Sequence, residues 1–440
     1  MILVYTHRIT SRVNFIFRHI FNNILQTEVK FTTKIEEFIA FNGAKFSYAP
    51  QALGKEFHIK AHKLLFQQGI KQTELDFGKW QGELIFFQIP DASIPFDIFA
   101  ASFYLLARYE EYLPHKLDAH ERYNYKDSIL RQRGVLNKPM VEIWADMLQN
   151  ELTNRFPDLV FSERQFYFHP IIDVSMAALF KNKAFLRFIG GGLNDLLHFR
   201  LKKFWLRNQV YFTKKKDPYD TFDEILRLKK KFKHPLTFFH LLTTYSVFDH
   251  NISKNKSVYQ REIKFLADYA ETGLLTSYYT IDDAEMIEKE IKALENIIHK
   301  QVLTTRAHFN RIKIPKTYQN YNESEIKADY SMGYNQKIGF RAGTSIPFNF
   351  YDIENETETS LQLHPVSISD IMLKYQYHFS AEKAVNIMLE QGRIIKKYKG
   401  HFYPAFHNFI LSDTDDWKDW NKLYIETIKQ FSKNNFIGER

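Results

Sequence analysis

Tyr167-Phe168-His169-Pro170-Ile171-Ile172-Asp173-Val174-Ser175 is an apolar run whose single acid lies near its end. A short apolar stretch bounded by polar residues predicts a buried strand over Tyr167 to Val174. The same rhythm continues downstream. Further strands are predicted over Leu236 to Thr243, Gly273 to Tyr279, Val302 to His308, Ala328 to Met332, Ile338 to Gly343, Leu361 to Ser367 and Phe402 to His407. Charged helical segments such as Ile281 to Ile298 and Ala381 to Tyr398 separate them. Eight strands alternating with helices across residues 165–440 suit a β/α barrel, which typically takes roughly 250 residues.

Barrels of this kind place their chemistry where strands end and loops begin. The predicted strand ends carry Asp173 with Ser175, Ser277, Arg306 with His308, Arg341, Asp370 just beyond its strand, and His407 with Asn408. A hydrolytic centre needs a base, an acid and a group that stabilises an oxyanion, and Asp173, His407 and the arginines offer those types. Each also has an ordinary structural use, because an aspartate at a strand end often caps a helix and an arginine often pairs with a carboxylate. Only convergence in one pocket favours chemistry.

Upstream, residues 1–160 form a smaller α/β unit. Leu84-Ile85-Phe86-Phe87-Gln88-Ile89 predicts a strand, and Ile94-Pro95-Phe96-Asp97 opens a helix that Asp97 can cap. The helix shows an apolar face through Phe99, Phe103 and Leu106, and Pro114 after Tyr112-Leu113 marks its stop. Asp97 reads as a cap, and Arg108, Glu110 and Glu111 read as helix-flank and surface ion pairs. His58 and His62, four apart but with no third ligand nearby, read as surface histidines.

Bulk properties narrow the function classes. The 440 residues are 45% apolar, enough for a large core, and two domains are expected. Cysteine is absent, which excludes disulfides, thiolate metal sites and a cysteine nucleophile. Met1-Ile2-Leu3-Val4-Tyr5 is too short for a secretory apolar core, so a cytoplasmic location is expected. The longest apolar run, within Ile98 to Ala107, falls well short of the roughly 20 residues of a membrane span. A net charge of +9 draws partly on Lys214-Lys215-Lys216 and Lys229-Lys230-Lys231. No nucleic-acid motif accompanies them, and the second lies on the polar face of an amphipathic helix, so nucleic acid is not an expected partner.

Two blocks carry a resemblance. Phe96-Asp97-Ile98-Phe99-Ala100-Ala101-Ser102-Phe103-Tyr104 with Arg108-Tyr109-Glu110-Glu111-Tyr112-Leu113-Pro114 resembles a domain of unknown function found before polysaccharide-deacetylase-like barrels in Bacteroidetes. Asp329-Tyr330-Ser331-Met332-Gly333-Tyr334, Gly339-Phe340-Arg341-Ala342-Gly343-Thr344, Pro347-Phe348, Tyr351-Asp352, Asp217-Pro218-Tyr219-Asp220 and His407-Asn408 extend it over nearly the whole chain. Such proteins are similar to the NodB-homology deacetylases of carbohydrate esterase family four, hydrolases in carbohydrate metabolism that remove acetyl groups from sugars with metal-activated water. The resemblance implies a NodB-type β/α barrel over 165–440 behind an N-terminal α/β domain over 1–160, and a carbohydrate substrate or ligand. It matches Asp173 to the base, His407 to the late acid, Arg341 to a third-motif arginine and Asp370 to a tuning carboxylate. Ser277, Tyr278 and Arg306 fall where substrate would be bound, and Tyr330 and Tyr334 join Tyr278 as candidates for stacking on sugar rings.

Two departures qualify that match. The Asp-x-Asp motif reads Asp173-Val174-Ser175 here, and the Gly-x-His-Pro-Ser-Tyr run reads Gly273-Leu274-Leu275-Thr276-Ser277-Tyr278. A hydroxyl binds a dication poorly and leucine not at all, so His308, with Asp173, is left as a candidate ligand to zinc or a similar divalent metal. Structural zinc sites bind with roughly 10–16 kcal/mol over four ligands, so losing two predicts weak or absent occupancy. The expected function is carbohydrate deacetylation, with a catalytically impaired carbohydrate-binding or scaffolding relative, a possible pseudoenzyme, as the alternative.

Overall fold

The structure, a computed structural model, describes residues 1–90, 92–182, 185–243, 246–412 and 414–432. The chain opens with a parallel four-stranded sheet in which Val29–Thr32, Ile2–Tyr5, Lys45–Ala49 and His58–Lys60 lie side by side in that order. An antiparallel hairpin, Phe77–Trp80 with Glu83–Phe86, follows. Its two-residue turn, Gln81-Gly82, has φ of 49° and 83°, the left-handed pair that matches strand twist.

The helix expected after Asp97 spans Ile98–Leu106. Asp97 accepts the amides of Phe99 at 3.0 Å and Ala100 at 2.9 Å, which satisfies two otherwise unpaired donors of the first turn. It also accepts the Tyr48 hydroxyl at 2.7 Å, and burial pushes its carboxyl up to about 6. All nine residues of this helix are buried, so the helix is central and not a surface helix with one apolar face. It ends before Pro114: Arg108 adopts a left-handed φ of 51°, and a separate turn covers Tyr109–Tyr112.

The remainder is a curled eight-stranded sheet in the order Phe348–Asp352, Thr357–Pro365, Ala328–Met332, Thr304–Ala307, Glu271–Thr276, Thr237–Leu241, Ile171–Val174, Ala405–His407. Seven strands are parallel, and Phe348–Asp352 is an antiparallel edge. Helices Ala284–Ile298 and Ala381–Lys397 occupy the two expected helical segments. Two expected strands are split at His169-Pro170 and Tyr403-Pro404, and their first parts, Tyr167–Phe168 and His401–Phe402, pair with each other in a separate two-stranded sheet. One strand expectation fails. Residues 338–343 form no strand, because this apolar loop packs on the N-terminal helices: Gly339 abuts Leu136, and Gly343 abuts Leu105.

Past Pro365 the chain keeps its direction, and Ser369 bridges in parallel to Ala405, with the Ala405 amide donating to Ile368 O at 3.1 Å. That bridge draws one end of the curled sheet toward the other. Apolar packing runs without interruption from the N-terminal elements into the sheet, where Tyr351 meets both Phe15 and Phe103 with ring centroids 5.1 Å apart. A second cluster, including Ile171, Phe239, Leu275 and Tyr330, fills the inside of the curl. Among the described residues no helix is long and apolar enough to cross a membrane.

Candidate functional site

Parallel strands that share one direction deliver their last residues to one end of the sheet. At that end lies a cavity of about 370 Å³ lined by Asp173, Arg306, His308 and His407. Asp173 and His407 are register partners on adjacent strands, and Arg306 is the penultimate residue of the strand Thr304–Ala307.

Asp173 is committed to Arg306. The guanidinium Nε donates to both carboxylate oxygens, at 2.9 and 2.8 Å, and a terminal nitrogen donates to Tyr330 O. Both side chains are nearly enclosed, at 7% and 5% exposure. The pair is therefore shielded from water, where charge attraction is stronger than at the surface.

His407 is held by Asp370. Its Nδ1–H donates to Asp370 Oδ1 at 2.9 Å, and its backbone amide donates to Oδ2 at 2.8 Å. A carboxylate only accepts, so the bond fixes the proton on Nδ1 and leaves Nε2 as the titrating nitrogen. Burial pulls the imidazolium down. The charge and hydrogen bond of Asp370, helped by Asp173, outweigh that, and the pKa is raised above the ordinary histidine value. Asp370 is placed here by the Ser369–Ala405 bridge. A second dyad stands opposite, where His308 Nδ1–H donates to Asp249 Oδ1 at 2.9 Å. Asp249 is fully buried and also accepts the Ser246 hydroxyl at 3.0 Å and the Tyr278 amide at 3.2 Å.

Other expected residues lie elsewhere. Arg341 is not in this cavity. It is buried at the seam with the N-terminal region, where Nε and a terminal nitrogen donate to the two oxygens of Glu111 at 2.8 and 2.6 Å. Arg108 donates to the same Glu111 at 2.8 Å, to Glu110 at 2.8 Å and to Arg341 O. Burial raises the Glu111 pKa, but Arg341 and Arg108 overcome this and bring it down to about 2. The charges read as a surface flank are thus an enclosed network that fastens the N-terminal helices to the loop 338–343.

Ser277 also points away. Its hydroxyl faces the Met286 sulfur at 3.9 Å, and its amide donates to Glu290 at 3.0 Å. Tyr278 sits behind the wall, its ring stacked on Phe248 at 3.9 Å and its hydroxyl 3.0 Å from His120 Nδ1. Tyr330 stacks on His364 inside the curl, and Tyr334 lies beside Arg341, so neither lines the cavity. Its aromatic walls are instead Phe248, Phe309, Tyr375, Phe409, Trp417 and Tyr219. Phe248 and Asp249 lie seven and eight residues past the end of the strand Thr237–Leu241, too far for the strand-end rule to single them out, and Trp417 and Tyr375 carry no such signal either.

The donors do not fit a divalent ion. Among the described residues no three His, Asp or Glu side chains stand close enough together to hold a metal ion. Asp173 already receives a cationic donor on both oxygens, and Leu275 is buried in the apolar layer beneath the site.

Residues 2–157 match a family of unknown function, DUF7033. No curated protein matches the chain. Similar solved structures include a candidate polysaccharide deacetylase from Mycobacterium smegmatis, 13% identical with a TM-score of 0.41, covering 63% of this chain and 87% of that one. Puue allantoinase is 10% identical with a TM-score of 0.41, covering 62% and 86%. A CE4 family pseudoenzyme from Bacillus anthracis is 10% identical with a TM-score of 0.32, covering 60% and 61%. The structural neighbours thus include deacetylases and a pseudoenzyme at low identity, and the chemistry of this chain has to be argued from its own residues.

Proposed function

We propose that the cavity is a carbohydrate-binding site in which the Arg306 guanidinium takes the place that a metal ion would hold on Asp173. The observation that carries this is the bifurcated Nε–H bond to both Asp173 oxygens inside an enclosed pair. A cation already seated there leaves Asp173 poorly disposed to bind a dication, and Ser175 and Leu275 add no ligand. The volume, about 370 Å³, lies in the range of small-ligand pockets. Ring faces from Phe248, Phe409 and Trp417, with polar groups at Asp173, Arg306, His308 and His407, suit a pyranose, which offers apolar C–H faces and hydroxyls.

The His407–Asp370 dyad supports a second reading, hydrolysis of an acyl group. An imidazole with a raised pKa and a fixed Nδ1 proton can donate from Nε2 to a leaving oxygen or nitrogen. That reading needs an activated water, and Asp173 offers only an oxygen already shared with Arg306.

The decisive experiment titrates N-acetylated chitooligosaccharides and O-acetylated xylooligosaccharides into the chain by calorimetry while released acetate is assayed, after chelation and again with added zinc. Saturable binding without acetate release in either condition supports the binding reading. Zinc-stimulated release that disappears in His407→Gln overturns it in favour of the hydrolase. Absence of binding to both series rejects both.

A further inference from the structure

Residues 185–212 build a helical hairpin of Phe185–Leu197 and Leu201–Phe212. Its base is pinched: Asp217 accepts the amides of Leu179, Phe180 and Lys181 at 2.8, 2.8 and 2.9 Å, which ties the two chain crossings together. Tyr219, just beyond, lines the cavity, and Lys203 reaches Asp416 at 3.7 Å, beside the cavity residue Trp417.

The hairpin is built inside out for a surface exposed only to water. Between its helices lie the Asp195–Arg207 ion pair at 2.8 Å and the stacked rings of Phe188 and Tyr211 at 4.2 Å. Outside lie Leu186, Leu193 and Leu197 at helical spacing on the first helix, Phe199 in the turn, and Trp205 and Phe212 on the second helix. Leu186 is 81% exposed, Leu197 76%, Phe199 87% and Trp205 66%. Apolar area of this extent normally marks a contact surface.

Charge decides the contact. Residues 185–216 hold eight Lys and Arg and one acid, Asp195, which is spent on Arg207; beyond the hairpin, Asp220 and Asp223 pair with Lys216, and Asp416 lies 3.7 Å from Lys203. Arg200 and Lys202 follow the apolar turn directly in sequence, and Lys214 to Lys216 close the segment. A second copy of the same hairpin would bring like charges together. A projecting tip of leucine, phenylalanine and tryptophan ringed by cations matches the boundary between acyl chains and anionic headgroups. We propose that the hairpin Phe185–Phe212 docks peripherally on an anionic lipid bilayer, with Leu197, Phe199 and Trp205 entering the interface and Arg200 and Lys202 meeting headgroup phosphates. This docking does not depend on what the cavity binds.

The test is co-sedimentation of the full chain with phosphatidylcholine vesicles, with and without phosphatidylglycerol, at low and high salt. The chain is expected to partition to the phosphatidylglycerol vesicles and to be released by salt. A Leu197→Ser/Phe199→Ser/Trp205→Ser variant is expected to lose partitioning while circular dichroism stays unchanged, because these side chains are mostly exposed. Should it misfold, Arg200→Gln/Lys202→Gln serves in its place and is expected to lower partitioning by about fivefold per charge removed. No partitioning of the folded wild-type chain overturns the proposal, as does partitioning that neither variant changes. A concentration-dependent dimer, seen by sedimentation equilibrium and abolished by the triple variant in the absence of vesicle binding, assigns the face to a second copy and overturns it equally.

Discussion

Arg306 holds both carboxylate oxygens of Asp173 through a single Nε–H, at 2.9 and 2.8 Å, at the floor of the cavity. A buried ion pair gains little over an apolar pair, but either half alone is expensive because its partner stays charged without compensation. This asymmetry gives the pair a signature distinct from that of a surface salt bridge.

Arg306→Met is expected to destabilise the chain by about 3–5 kcal/mol, leaving Asp173 enclosed and unpaired. Asp173→Asn/Arg306→Met is expected to recover much of that loss. Urea unfolding of the two single variants and the double variant gives the coupling energy, and a value near zero sinks the pairing.

Arg341→Met is expected to lower the unfolding midpoint while leaving carbohydrate affinity unchanged, because Arg341 lies at the seam with Glu111 and not in the cavity. The acid limb gives a further check. Glu111 is held at about 2, below its unfolded value, so its contribution is complete above roughly pH 4.5 and is lost as pH falls toward 2. In Glu111→Gln, stability at neutral pH drops and the fall below pH 4.5 becomes shallower. An unchanged acid limb in that variant contradicts the network.

His407 titrates in the opposite sense. Its folded pKa is raised, so the stability it contributes is complete below the unfolded imidazole value near 6.5 and is lost as pH rises through the folded value. Asp370→Asn removes the main opposition to burial and is expected to move the His407 midpoint downward. Proton and carbon NMR of the imidazole Cε1 position reads this directly, with His407→Gln supplying the assignment.

Strand ends were legible because they obey a rule of direction. Asp173, Arg306, His308 and His407 reach one cavity, with Asp370 behind, since parallel strands all finish at the same end of the curl. What an apolar run packs against was not legible. Residues 338–343 are apolar because they lie under N-terminal helices, and period alone does not distinguish that from strand pairing. Arg108 and Glu111 looked like surface charges because their partner Arg341 is about 230 positions away. Phe348–Asp352 was not among the expected strands, although it pairs antiparallel with Thr357–Pro365 at the edge of the sheet.

Phe248→Ala is expected to weaken carbohydrate binding by about tenfold, the loss of one ring face from the cavity wall. Tyr278→Phe keeps the ring stacked behind Phe248 and removes only the hydroxyl that meets His120, so its affinity is expected to stay near wild type. Equal losses in the two variants count against stacking on Phe248.

Gly339 tests the seam without touching any charge. Its φ is +142°, and a Cβ there would lie 2.5 Å from Leu136 O and 2.7 Å from Leu136 Cγ. The carbonyl cannot withdraw cheaply, because it accepts the Phe340 amide at 2.8 Å. Gly339→Ala therefore combines backbone strain with a clash and is expected to cost about 3 kcal/mol or more, displacing the loop that carries Arg341. Gly82→Ala is the control, with φ of +83° but open space around the new methyl, and only about 1 kcal/mol is expected. Urea midpoints separate the two outcomes. If the variants lose equally, the clash with Leu136 is absent, and the loop is not fastened to the N-terminal helices where Arg341 meets Glu111.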